Sequence, residues 1–211
     1  QYQVNLVRQM VHHITRTLCN RNSRKLSFFR AVEIDTVKFV SSERSNIMND
    51  RRPVASLWIG EKLHYLNQLC LKSHVVAGHK TILYCADKVD NAPEGVEVRP
   101  ASEIMEIDRA LVEATSASFL SNVFRYKMIQ KTGAIWIDCD AFCHQPFPED
   151  EEYIFGRHGM SGALNCGVVG LPQECELMDQ LLDYYDNLPD YPAWWNKNQR
   201  KKYDRQDPKL S

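Results

Sequence analysis

The chain has 211 residues, 44% hydrophobic, 10% aromatic and 25% charged, a balance that suits one globular domain with a sizeable core. No run of about 18 apolar residues exists, which excludes a membrane-spanning helix, and no secretory-leader pattern opens the chain at Gln1. The formal net charge of -1 conceals basic ends on an acidic body: residues 1–53 hold ten Lys/Arg against four Asp/Glu, residues 54–195 ten against 21, and residues 196–211 six against two.

Basic flanks of this kind suit contact with anionic lipid headgroups, as at the inner membrane face for a cytoplasmic protein, with an acidic partner or with nucleic acid, and plain solvation is the readier account of any one of them. They lack the aromatic interleaving and motifs of nucleic-acid binding, so no nucleic-acid partner is expected. The seven cysteines are odd in number and form no Cys-x-x-Cys pair, which reads as reduced, partly buried thiols.

Val4 to Leu18 places Val7, Met10, Val11, Ile14 and Leu18 on one helical face, predicting a helical N-terminal appendage over residues 1–53. Phe28-Phe29 and Val37 to Val40 fit either short strands or loop anchors. Val54 to Ile59 is a buried-strand run closed by Gly60, and Leu63, Leu66, Leu69 and Cys70 mark a helix after it. Thr81–Cys85 and Val96–Val98 read as strands, and Pro100 and Ser102 open a helical stretch. Phe119–Ile129 reads as helix, Ala134–Ile137, Tyr153–Phe155 and Leu164–Leu171 as strands. Pro172 begins an amphipathic helix with Met178, Leu181, Leu182 and Tyr185 on one side. This alternation predicts an α/β domain over residues 54–195, a mostly parallel sheet flanked by helices, followed by a mobile polar tail over 196–211.

Two features carry chemistry. Asp138 and Asp140 follow an apolar strand; in an extended chain their side chains would share a face at roughly 7 Å separation, two hard oxygen donors suited to Mn2+ or Mg2+. A cation there neutralises a diphosphate, which points to a nucleotide-activated substrate. On the preceding helix, Ser118, Ser121, Asn122 and Arg125 recur at i, i+3, i+4 and i+7, opposite Leu120, Val123, Phe124 and Met128. A solvated face would carry Lys or Glu; small hydroxyls, an amide and one guanidinium suit a lined pocket. Arg125 can reach a phosphate or pair with Asp138 or Asp140. Trp58-Ile59-Gly60 and Asp138-Cys139-Asp140 both fall at strand carboxyl ends, where such sheets bind ligands.

Ser56-Leu57-Trp58-Ile59-Gly60, then Gln68 to Ser73, Gly78-His79 and Leu83-Tyr84, resemble the opening of family 32 glycosyltransferases, whose sugar-binding region carries an Asp-X-Asp motif. Ser121-Asn122-Val123-Phe124-Arg125-Tyr126 is similar to their Ser-Asp-x-x-Arg-Tyr segment. Gly133 to Asp140 with Cys143 to Phe147, and Leu164-Asn165-Cys166-Gly167 with Leu171-Pro172, resemble two later segments, so the likeness runs in order over residues 54–187. It implies a GT-A (Rossmann-like) fold, a UDP- or GDP-sugar donor, Mn2+ or Mg2+, and a hexosyltransferase that usually retains anomeric configuration. A glycan or lipid-linked acceptor, and a place in polysaccharide biosynthesis, are implied with it. Carried over, Leu57, Trp58 and Ile59 would line the base pocket, and Ser121, Asn122 and Arg125 the donor sugar. Asp138 would bind sugar, ribose or metal-linked water, Asp140 would ligate the metal, and Asn165 would serve the donor or acceptor side. Asp138, Asp140 and Arg125 are the catalytic candidates, and no general base is assigned.

Asn122 stands where the family has Asp, which removes a charge and adds a donor; Ala134 replaces a glycine. A catalytically weakened nucleotide-sugar-binding protein is therefore an alternative. A haloacid-dehalogenase-type phosphatase also uses Asp-x-Asp after a strand, but prefers it near the start of its domain. A zinc site at Cys139, Cys143 and His144 fails on spacing, Cys139 being expected to face away from the carboxylates. Trp194-Trp195 suits either acceptor stacking or anchorage of the last helix, and His158 to Gly162 either a lid or a plain connection.

Overall fold

The computed structural model describes residues 51–157, 164–187 and 197–204. Six strands form one sheet: β1 (Val54–Trp58), β2 (Thr81–Cys85), β3 (Val96–Pro100), β4 (Ile135–Ile137), β5 (Ile154–Arg157) and β6 (Leu164–Gly170), in the order β3-β2-β1-β4-β6-β5. β1, β2, β3 and β4 pair in parallel, and β6 runs antiparallel to both β4 and β5. The helices are α1 (Tyr65–Val76), α2 (Arg109–Ala114), α3 (Ala117–Thr132), α4 (Glu176–Asn187) and α5 (Lys197–Asp204). This is a Rossmann-like α/β architecture, as the strand-helix alternation predicts.

Strand pleating divides the core. Ala55 and Leu57 of β1, Tyr84 of β2 and Trp136 of β4 pack with Phe124 of α3 and Met178 of α4 on one face. Val54, Leu83, Ile135 and Ile137 pack with Leu71 of α1 on the other. Both faces of the central strands are thereby dry, which explains their continuous apolar runs. The chain leaves β1 toward β2 on one side and returns to β4 on the other, so the sheet reverses order between β1 and β4. A crevice opens at such a point beyond the carboxyl ends.

α3 starts at Ser116, whose Oγ accepts the Phe119 N–H (3.1 Å), and ends at Gly133 in the left-handed region (φ 70). That glycine turns the chain at once into β4, so helix and strand form a rigid pair. Arg52 fastens the start of β1 to the far sheet edge, donating to Gly133 O (2.7 Å), Glu152 O (3.0 Å) and Leu171 O (2.5 Å).

One expectation is corrected: the stretch after Pro100 is a short 3-10 turn, Ala101–Glu103, separated from α2 by residues 104–108. The helix marked by Leu63, Leu66, Leu69 and Cys70 is α1, which turns Cys70, Leu71 and His74 to the sheet and leaves Leu66 and Leu69 65% and 42% exposed. Within residues 196–211, Lys197–Asp204 form α5, whose Lys197 and Lys201 are exposed. The N-terminal helix, Trp194-Trp195 and the loop His158 to Gly162 lie outside the described residues.

Candidate functional site

β4 alternates its side chains so that Ile135 and Ile137 face α1 while Trp136 and then Asp138 face α3. Asp138 N–H donates to Gly167 O (2.7 Å), prolonging the β4–β6 ladder by one step. The chain then turns, with Ala141 N–H bonded to Asp138 O (2.9 Å). This turn, rather than continued pleating, carries Asp140 to the same crevice, so the extended-chain geometry expected for the pair does not apply. Asp140 is exposed.

The crevice encloses about 350 Å³. Its β4 side is formed by Asp138, Cys139 and Asp140, its α3 side by Ser118, Ser121, Asn122 and Arg125. Trp58 closes it from β1, Asn67 from α1, and Asn165, Cys166 and Gly167 from β6. The four-residue polar stripe therefore faces one cavity, and its apolar complement Leu120, Val123, Phe124 and Met128 is buried as the helical spacing requires. Leu57 and Ile59 are not on the cavity wall: both pack with the α3-side core, Leu57 because its place in the pleat turns it under the sheet. Of the donor-binding candidates Leu57, Trp58 and Ile59, Trp58 alone reaches the crevice.

Arg125 is the electrostatic centre. It is 4% exposed, donates Nη1 to Asn122 Oδ1 (3.1 Å) and Nη2 to Asp138 Oδ1 (3.3 Å), and lies 4.9 Å from the Trp136 ring centroid. Burial works against the cation, yet the guanidinium is held above its ordinary pKa, with the Asp138 carboxylate as its ionised partner. Trp136 also donates Nε1 to Asp138 Oδ1 (2.7 Å). Oδ1 of Asp138 is thus held twice, while Oδ2 points toward Gly167, where an added Cβ would sit only 3.1 Å away. Trp136 and Gly167 fix the position of Asp138, a part that motif reading left unassigned. Pleat spacing of two from Asp138 is a signal for the first; the second depends on antiparallel register and has none.

Asn165 Oδ1 accepts the Gly167 N–H (2.9 Å), which fixes the strand opposite Asp138. Cys139 lines the crevice, and its Sγ lies 3.0 Å from Ser56 Oγ and 3.5 Å from Leu57 O. Burial pushes its thiol up to about 12, so it stays protonated and unreactive at neutral pH. Two buried histidines pin the segment after Asp140. His74 Nε2 meets Ala141 O (3.0 Å), and Phe147 N–H donates to His79 Nε2 (3.1 Å) while His79 Nδ1 meets Arg52 O (3.0 Å). Burial lowers both rings, His74 to about 4, which keeps them neutral and fixes their tautomers.

Among the described residues no group of three or more His, Cys, Asp or Glu side chains converges as a metal cage. Asp138 and Asp140 offer two hard carboxylates on an open wall. That donor set suits Mg2+ or Mn2+, which are typically held by one or two carboxylates and completed by water and phosphate oxygens.

No family model matches the chain, and no curated protein matches it. Among solved structures, one titled "PaToxG Glycosyltransferase" is similar, with 12% identity and a TM-score of 0.46, over 65% of this chain and 62% of that one. The chain therefore matches less than two thirds of that structure's length. No helix among the described residues is long and apolar enough to cross a membrane.

Proposed function

We propose that this chain is a metal-dependent glycosyltransferase of GT-A type that takes a sugar from a UDP- or GDP-sugar and passes it to a glycan or lipid-linked acceptor, with retention at the anomeric carbon. The observation that carries the reading is the convergence of Asp138, Asp140, Arg125, Asn122 and Trp58 on one cavity at the sheet's order reversal. Glycosyl transfer needs three things there: a place for a diphosphate, a cation source to offset its growing charge, and polar contacts around the sugar.

Asp138 and Asp140 would hold Mn2+ or Mg2+, which when bound supplies Lewis-acid stabilisation of the diphosphate leaving group. Arg125 stays charged at any working pH and is held rigidly by Asn122, Asp138 and Trp136, so it presents positive potential without reorganising. Trp136 and Arg125 together prevent Asp138 from rotating. Trp58 offers an aromatic edge to the base or sugar at the mouth. Ser118 and Ser121 supply hydroxyls that donate or accept as the sugar demands.

A second reading, a donor-binding protein without turnover, is favoured by one feature: Asn122 supplies no charge beside the sugar. The test is a panel of UDP- and GDP-sugars with and without Mn2+, read by thermal shift and then by donor hydrolysis. Manganese-dependent stabilisation together with hydrolysis supports the enzyme. Stabilisation without hydrolysis, in the chain and in Asn122→Asp alike, supports the inert binder. No stabilisation by any donor refutes both.

A further inference from the structure

Asp138 and Asp140 reach the crevice by different means. The Asp138 carboxylate is held by its own contacts, Oδ1 taking Trp136 Nε1 (2.7 Å) and Arg125 Nη2 (3.3 Å). Asp140 is exposed, and among the described residues its carboxylate has no hydrogen-bond or ion-pair partner. Its place is therefore set by the chain on either side of it. After it, Ala141 N–H donates to Asp138 O (2.9 Å) and Ala141 O meets His74 Nε2 (3.0 Å). Before it stands Cys139, whose side chain packs with the core under α1.

Cys139 is tied down three times. Its Sγ lies 3.5 Å from Leu57 O and 3.0 Å from Ser56 Oγ, and its carbonyl accepts from Asn67 Nδ2 (3.4 Å). A thiol has one proton to give and a sulfur that accepts weakly. With that proton directed at Leu57 O, the sulfur is left to accept from the Ser56 hydroxyl. Ser56 is fully buried and its hydroxyl has no other partner among the described residues, so this contact alone satisfies it. The turn thus hangs from β1, a strand paired on both sides. A carboxylate fixed in advance does not have to be ordered when a cation arrives. Building on the metal-dependent reading above, we infer that Cys139 is a positioning residue: bonded to Ser56 and Leu57 of β1, it fixes where Asp140 presents its carboxylate to a divalent cation.

The experiment titrates Mn2+ into the full chain by calorimetry, alone and with UDP or GDP. It compares the wild type, Cys139→Ala, Cys139→Ser and Ser56→Ala, with apo melting recorded for each. Cys139→Ala is expected to weaken Mn2+ about tenfold, the loss that follows removal of groups supporting a metal ligand. It should still retain more affinity than Asp140→Asn, since the contacts of Asp138 are untouched. Cys139→Ser offers a hydroxyl to the same two partners and is expected to recover most of the loss. Ser56→Ala is expected to cost about threefold, in line with one modest neutral hydrogen bond. Lower melting with unchanged Mn2+ affinity in Cys139→Ala makes the residue a core contact only and overturns the inference, leaving the metal reading intact. Cys139→Ser as weak as Cys139→Ala overturns it too, by assigning the loss to volume. If Cys139→Ala fails to fold, Ser56→Ala decides: wild-type Mn2+ affinity there overturns the proposal. No Mn2+ binding by the wild type in any arm removes the metal reading and this inference with it.

Discussion

Gly167→Ala isolates the position of one carboxylate from everything else in the fold. The added Cβ would lie 3.1 Å from Asp138 Oδ2 and 3.3 Å from Asn165 Oδ1, with Asp138 Cγ at 3.6 Å. No backbone atom is among these neighbours, so relief comes from side-chain movement of a few tenths of an ångström. Asp138 cannot swing far, because Trp136 Nε1 and Arg125 Nη2 hold its other oxygen. The cost in stability is therefore the partial loss of one charge-assisted bond, about 1 kcal/mol. The cost in function is larger. Productive sites hold their groups to within about 0.5 Å, and a misplacement of about 1 Å costs on the order of 100-fold. A shift of a few tenths predicts about a tenfold loss in Mn2+-dependent donor affinity or hydrolysis, with urea unfolding nearly unchanged. Calorimetry with a UDP-sugar and Mn2+ measures the first, and a denaturation curve the second. A variant with wild-type stability and wild-type donor handling would show that Asp138 has no positional role, and the mechanism built on it would fail.

Other consequences are as direct. Asp140 is exposed and has no hydrogen-bond or ion-pair partner for its side chain among the described residues, so Asp140→Asn is expected to leave the apo melting temperature within a degree or two while abolishing Mn2+-dependent stabilisation in thermal shift. His74 titrates near 4 when folded and near 6.5 when unfolded, so folding excludes a proton between those values. Stability is full above about pH 6.5 and falls by up to about 3 kcal/mol as pH drops toward 4. His74→Gln, compared with wild type in urea titrations from pH 4.5 to 8, should flatten that dependence; an unchanged slope would mean the ring is not the source. Arg52→Ala leaves three carbonyls without their donor and should cost about 2–4 kcal/mol in chemical denaturation.

What the sequence made legible was whatever depends on local period. The polar stripe Ser118, Ser121, Asn122 and Arg125 lies on one cavity because helical spacing alone decides it. The strands β1, β2 and β4 were visible because sheets covered on both faces demand unbroken apolar runs. At α1 the period marks the helix without fixing its buried face: Leu66 and Leu69 are exposed while Cys70, Leu71 and His74 turn to the sheet, a choice made by tertiary packing. Relations across the fold left no local trace. The approach of Gly167 to Asp138 follows from the β4–β6 register, with Ile137 opposite Val168. The burial of Leu57 away from the cavity follows from which pleat face α3 covers. Charge composition gave no hint of how Asn122, Arg125 and Asp138 divide their hydrogen bonds.

Arg52 changes where the folded unit should be considered to start. By composition the body begins at Val54, but the guanidinium two residues earlier reaches carbonyls 81, 100 and 119 positions downstream. Shortening the protein to its first strand would excise that clasp and loosen the entry to β4, the β5 edge and the exit of β6 together. Since β4 and β6 present Asp138 and Asn165, a shortened form could keep every residue of the crevice and still hold them in the wrong places.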